Sequence, residues 1–179
     1  MFDLNLPFYP LKEVERGGCR MVFDDLRGRY VVLTAEERVR QLFVHFLIER
    51  KHYPLGLIVN ELSLNINGVK KRCDTVVFNK GLIPVMIVEY KAPRVEITRK
   101  TFEQALRYNF ALHVDYLVLT NGLRHFCCVI DYKVGRYRFL SSVPDCSELG
   151  VEWFLVNCLL IKNKVVNLST NVLTTIYTY

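Results

Sequence analysis

At 179 residues and 21.0 kDa the chain has the size of one ordinary domain, or of one domain with a tail. Its residues are 51% hydrophobic and 23% charged, enough apolar side chain for a sizeable core, which excludes disorder over most of the length. The formal charge of +6 and a pI near 9.0 suit an anionic partner such as nucleic acid, although many enzymes carry such a balance for solubility alone.

Taken in chain order, residues 1–33 read as an irregular N-terminal arm with one or two strands, the best of them at Gly28–Leu33. Thr34-Ala35-Glu36-Glu37 has the form of a capping box: Thr34 accepts from the N–H of Glu37, and Glu37 reaches back to the cap. Val39, Leu42, Phe43, Phe46 and Leu47 follow at helical spacing, and Pro54 places the end of this helix near Lys51. Leu62, Leu64 and Ile66 then alternate with polar residues, and Asn67-Gly68 predicts a tight hairpin into a second strand, Val69–Phe78. The nearly continuous apolar run Ile83–Lys91 predicts a strand buried on both faces, with Pro84 tolerated at its start. A second helix is expected over Thr98–His113, then strands at Asp115–Thr120, Leu123–Tyr132 and Arg136–Leu140.

The order helix, three antiparallel strands, helix, strand, then a small β extension predicts an α/β domain over 34–149 with a mixed central sheet. Residues 150–179 change character, with no acidic residue from Lys162 onward. Two readings stand side by side: a helix over Val151–Ile161 with a β-rich tail, or a tail foreign to the fold, as a shifted reading frame would produce. The longest apolar stretch, Val151–Ile161, falls short of the roughly 20 residues that span a bilayer, and MFDLNLPFYP lacks the pattern of a secretory signal. The expectation is a soluble, cytoplasmic protein with no membrane partner. Its six cysteines form no CxxC pair and none has a histidine at ligand spacing, so reduced, mostly buried thiols are expected.

The chemistry is concentrated in Asp74 and, fourteen residues further on, Glu89-Tyr90-Lys91. Residues two apart on a strand share a face, so Glu89 and Lys91 project together from the end of an apolar strand. A plain ion pair at the sheet edge is the simplest account of them. Hairpin register adds to it. With Asn67-Gly68 as the turn, Glu61 lies directly across from Asp74, with Cβ atoms about 5 Å apart. Two carboxylates so placed repel unless a cation or proton intervenes. Asp74, Glu89 and Glu61 would then converge beside Lys91, and oxygen-only ligands suit Mg²⁺ or Mn²⁺ rather than zinc. Lys70, Lys71, Arg72, Arg94, Arg99, Lys100 and Arg107 are spaced to surround such a cleft, a pattern that neutralises backbone phosphates without reading bases; a solvated surface accounts for any one of them singly. His45, His52, His113 and His125 are scattered and are assigned no catalytic role.

Asp74, Glu89-x-Lys91 and a following helix with Gln104-Ala105-Leu106-Arg107-Tyr108 resemble the PD-(D/E)xK nuclease superfamily, and more narrowly the N-terminal nuclease domain of type I restriction enzyme R (restriction) subunits. Gln104 and Tyr108 match that family's QxxxY signature, and Glu36-Glu37-Arg38-Val39-Arg40-Gln41 on the first helix extends the likeness, which runs to about Leu149. Cys73 stands where the superfamily has proline, a position that supplies no ligand. The resemblance implies a restriction-endonuclease-like core and a Mg²⁺- or Mn²⁺-dependent DNA endonuclease. It assigns the metal to Asp74, Glu89 and the Tyr90 backbone carbonyl, with Glu37 as a further candidate ligand besides its capping role. Lys91 would orient the attacking water or stabilise the developing charge. Gln104 and Tyr108, four apart on one helical face, would hydrogen-bond DNA phosphate or the Lys91 neighbourhood, a polar helix edge being the plain alternative. The chain has no GxxxxGK[ST] loop, hence no nucleotide site, and is too short for an ATP-driven motor. If it cuts DNA, it is expected to act alone or with separate restriction-system subunits. The alternative is a non-cleaving nucleic-acid-binding or assembly module on the same fold.

Overall fold

The computed structural model describes residues 3–66 and 69–149, so the Asn67-Gly68 turn and the expectations for the tail lie outside the described residues. The N-terminal region is more ordered than its composition suggests. Strands β1 (Glu13–Arg16), β2 (Cys19–Asp24) and β3 (Arg29–Val32) form a three-stranded antiparallel sheet in place of the expected irregular arm. Alternation in these short strands is blurred, because the sheet buries little beyond Val22 and Asp24. That is why only β3 stood out in the sequence.

Helix α1 (Ala35–Glu49) begins at Thr34, whose hydroxyl accepts from the Glu37 N–H at 3.0 Å. Only this half of the capping box forms. The Thr34 N–H goes to the Val32 carbonyl, and the Glu37 carboxylate turns inward to other partners. The apolar stripe of α1 packs Val39, Phe43 and Leu47 against Met86, Val88 and Tyr90 of the main sheet.

That sheet has six strands in the order β4 (Ile58–Ile66), β5 (Val69–Phe78), β6 (Pro84–Tyr90), β7 (Tyr116–Thr120), β8 (His125–Asp131) and β9 (Arg136–Leu140). Only β6 and β7 run parallel, joined by helix α2 (Arg99–Leu112). The α1 face and the α2 face each carry an apolar cluster, so β6, in the middle, is buried on both sides. It ends one residue earlier than the expected Lys91, although the Lys91 N–H still bonds the Thr120 carbonyl at 2.9 Å. Of the five described cysteines, Cys73, Cys127, Cys128 and Cys146 are buried and Cys19 is exposed. Among the described residues no helix is long and apolar enough to cross a membrane.

Candidate active site

The hairpin of β4 and β5 pairs Ile66 with Val69 and Asn60 with Thr75, the register expected from the turn and the alternation. Glu61 and Asp74 therefore face one another, yet they are where the ladder breaks. Leu62 pairs with Cys73 and Asn60 with Thr75, whereas Glu61 itself leaves the strand with φ +57°, a region uncommon for residues other than glycine. On the other side the β5–β6 ladder ends at Thr75 and Val88. Beyond that pair the Asp74 side chain replaces the missing backbone partner: the Tyr90 N–H donates to Asp74 Oδ2 at 3.0 Å. This fixes the carboxylate at the end of β6, beside Glu89 and Lys91.

Glu89 is only 6% exposed. Its carboxyl is pushed up to about 8, first by burial and then by the negative charge of Asp74, with Lys91 working against both. Asp74 is close enough for its charge to act on Glu89, so the two carboxyl groups are neighbours. Glu89 Oε1 is buried and has no hydrogen-bond partner. A buried acceptor of this kind costs about 1–3 kcal/mol and points to a missing proton, water or ion.

On the opposite flank of Asp74 lies a cluster that the sequence did not reveal as a unit. The Arg40 guanidinium, 5% exposed, donates to Asp74 Oδ1 at 2.9 Å and to Glu37 Oε2 at 2.9 Å, and reaches Glu61 Oε1 at 3.4 Å. It lies over the Tyr90 ring, 5.5 Å from the centroid, and the Tyr90 hydroxyl donates to Thr75. Arg27, from the β2–β3 turn, bonds Glu37, pairs with Glu61 at 3.1 Å and donates to Asp24 Oδ2 at 2.5 Å. Gln41 and Asn60 donate to the same Asp24 oxygen at 2.9 and 3.1 Å. Burial would raise the Asp24 carboxyl, but Arg27 and Asn60 together hold it below its ordinary value. The available signal was Glu37, Arg40 and Gln41, polar residues three and four apart on an otherwise core-facing stretch of α1.

The sequence candidates are thus separated into groups. Asp74, Glu89 and Lys91 come together. Glu37 and Glu61 lie next to them but are engaged by arginines, Glu61 also by Arg72 at 3.7 Å. Among the described residues no group of three or more His, Cys, Asp or Glu forms a metal cage, which leaves a two-carboxylate arrangement. Gln104 is exposed on α2, while the side chains of Arg107 and Tyr108 lie outside the described part of that helix. Lys70, Arg72, Arg94, Arg99 and Lys100 are exposed; Arg99 pairs with Glu103 at 2.8 Å. The His125 ring bridges the Asn5 carbonyl and the Thr120 hydroxyl, a structural role.

A search of curated proteins gives no match. Among solved structures, the fragment structure of a putative HsdR subunit of a type I restriction enzyme from Vibrio vulnificus YJ016 is similar, with a TM-score of 0.50 and 21% identity. The likeness covers 65% of this chain and 24% of that one, so this chain spans about a quarter of its solved relative, and at that identity it shows a shared fold. The family described as the type I restriction enzyme R protein N terminus matches residues 35–144, a span that holds α1, the whole six-stranded sheet, Asp74, Glu89 and Lys91. With well over half of its length matched, the chain belongs to the family of type I restriction enzyme R protein N termini.

Proposed function

We propose that this domain is a metal-dependent DNA endonuclease that hydrolyses phosphodiester bonds at the Asp74–Glu89–Lys91 site. The observation that carries this reading is the buried, partnerless Oε1 of Glu89 beside a second carboxylate. Charge accounting supports it. Asp24, Glu37, Glu61, Asp74 and Glu89 face three nearby cations, Arg27, Arg40 and Lys91. Arg29 and Arg72 approach only from the rim, with side chains about two-thirds exposed. The remaining two negative charges equal one divalent cation, and an all-oxygen donor set suits Mg²⁺ or Mn²⁺.

Asp74 and Glu89 would hold that ion, with the Tyr90 carbonyl as third ligand. In an extended strand the N–H and C=O of one residue point to the same edge, and Asp74 already occupies the Tyr90 N–H. When bound, the ion would supply Lewis acidity toward a phosphate oxygen and toward a water. Lys91 would place its positive charge where negative charge develops on the phosphoryl group. Gln104 would position the phosphate or Lys91. Lys70, Arg72, Arg94, Arg99, Lys100, Arg107 and Tyr108 would track the DNA backbone, whatever its sequence. The restriction-system family suggests that DNA translocation is supplied by separate subunits or segments.

Incubation of supercoiled plasmid with the protein and Mg²⁺ or Mn²⁺ tests the reading. Nicked or linear product that vanishes with EDTA and in Asp74→Ala is expected. Metal-independent product would overturn the metal-dependent mechanism, and DNA binding without any cleavage would favour the non-cleaving module instead.

A further inference from the structure

The arginine cluster beneath Asp74 joins two parts of the chain that the family match separates. Residues 35–144 are matched, and the three-stranded N-terminal sheet lies outside that span. Yet Asp24, at the end of β2, and Arg27, in the following turn, reach into the same polar cluster as Glu37, Arg40 and Glu61. We propose that Arg40 is a positioning residue for Asp74, and that Asp24 and Arg27 complete the clamp, which makes the N-terminal sheet an integral part of the metal-binding unit. This rests on Asp74 and Glu89 being the metal site.

The division of labour follows from the geometry. Arg40 offers Nη2 to Asp74 while Nη1 serves Glu37 and Glu61. Three carboxylates share one guanidinium, and Asp74 keeps its share only if the other two are satisfied elsewhere. Arg27 does this by pairing with both Glu37 and Glu61. Arg27 is in turn held by Asp24, bonded through its backbone N–H at 2.8 Å and its Nε at 2.5 Å. With Oδ1 held by Arg40 and Oδ2 by the Tyr90 N–H, Asp74 keeps one orientation against Glu89. Groups that orient a metal ligand are typically worth about 10–100-fold in metal affinity or activity.

Coulomb's law by itself predicts the opposite sign for a test. Removing a buried cation next to a metal ligand should tighten binding of a second cation. Mn²⁺ affinity, measured by titration calorimetry on the full chain, therefore distinguishes positioning from simple electrostatics. For Arg40→Met, and for Arg27→Met, which does not touch Asp74, Mn²⁺ binding should weaken about tenfold or more, with plasmid cleavage falling in parallel. Arg40→Lys, which keeps the charge but not the fork, should recover part of the loss. Lys51→Met, which removes the Lys51–Asp145 pair of 3.2 Å beyond the other end of α1, should lower the melting temperature without changing Mn²⁺ affinity. Should Arg40→Met fail to fold, Arg27→Met and Asp24→Asn carry the same prediction. Unchanged or tighter Mn²⁺ binding in folded variants would overturn the clamp alone, whereas a wild-type protein that binds no Mn²⁺ would overturn the metal site with it.

Discussion

Asp74 has a glutamate on each side, Glu61 on β4 and Glu89 on β6, and the two have opposite electrostatic fates. Burial works to raise both carboxyls. Around Glu61, Arg27, Arg72 and Arg40 outweigh burial and hold it below the usual carboxylate range. Around Glu89 the charge of Asp74 adds to burial, the charge of Lys91 does not offset them, and the carboxyl rises to about 8. One residue type on two flanks of one aspartate is ionised on the first and proton-holding on the second. The supply of cations from other elements decides which. The flank without enough cation is the one where the proposed metal ion would act.

The contrast can be broken most severely at Lys91 and Asp74. Lys91→Ala should reduce plasmid cleavage by at least about 100-fold, while Mn²⁺ binding by calorimetry stays close to wild type, because lysine supplies charge and no ligand. Asp74→Ala should lose both. Full cleavage by either variant would remove the assigned roles.

Next in size is the loss of Arg40. Stripping a buried pairing partner takes the guanidinium from Asp74 and leaves Glu37 with Arg27 alone, so Arg40→Met should lose about 3 kcal/mol in urea denaturation at neutral pH. An Arg40→Met protein as stable as wild type would mean that the cluster is solvated and not buried as described.

The third effect is the pH dependence, and its sign differs between the two flanks. The folded state holds a proton on Glu89 that the unfolded chain releases at an ordinary glutamate value of about 4.3. Stability from this group is therefore full below that value and falls as pH rises toward 8, by at most about 1.4 kcal/mol per unit. Glu61 runs the other way: its contribution is present above the ordinary value and is lost on acidification below it. Without metal, Glu89→Gln should be more stable than wild type at pH 8 and show no such slope. Saturating Mn²⁺ should flatten the wild-type curve, since an ion on Glu89 takes the place of the proton. A wild-type pH profile that matches Glu89→Gln throughout would contradict the raised carboxyl.

The smallest effect sharpens the comparison from the surface. Arg72 also pairs with Glu61, at 3.7 Å, but its side chain is 64% exposed. Arg72→Ala should change stability by about 0.5 kcal/mol or less, and that little should fade with added salt. A loss comparable to that of Arg40→Met would mean that burial is not what separates them.

Local features of the chain were legible where the physics is local. Thr34 and Glu37 announced the start of α1, but only the hydroxyl-to-N–H half of the box is made, because the Glu37 carboxylate finds two arginines at closer range than the cap. The alternation of Leu62, Leu64 and Ile66 set the hairpin register, and with it the opposition of Glu61 and Asp74. That opposition required compensating cations, which the sequence did not single out. Arg72 is one of them, and the shorter contacts come from Arg27 and Arg40.

By itself, then, the sequence determined the capped helix, the register of the hairpin and the doubly buried strand. Each of these depends on neighbours a few residues apart or on a strict period of two. Tertiary structure alone decided which carboxylates are neutralised. Arg40 meets Asp74 across 34 residues of chain, and Arg27, from a sheet that alternation hardly betrays, meets Glu61 across as many. Electrostatic pairing depends on distance in space and on burial, neither of which has a period along the chain, so the protonation of Glu89 and the bonds that orient Asp74 emerge only once the two sheets and α1 are packed together.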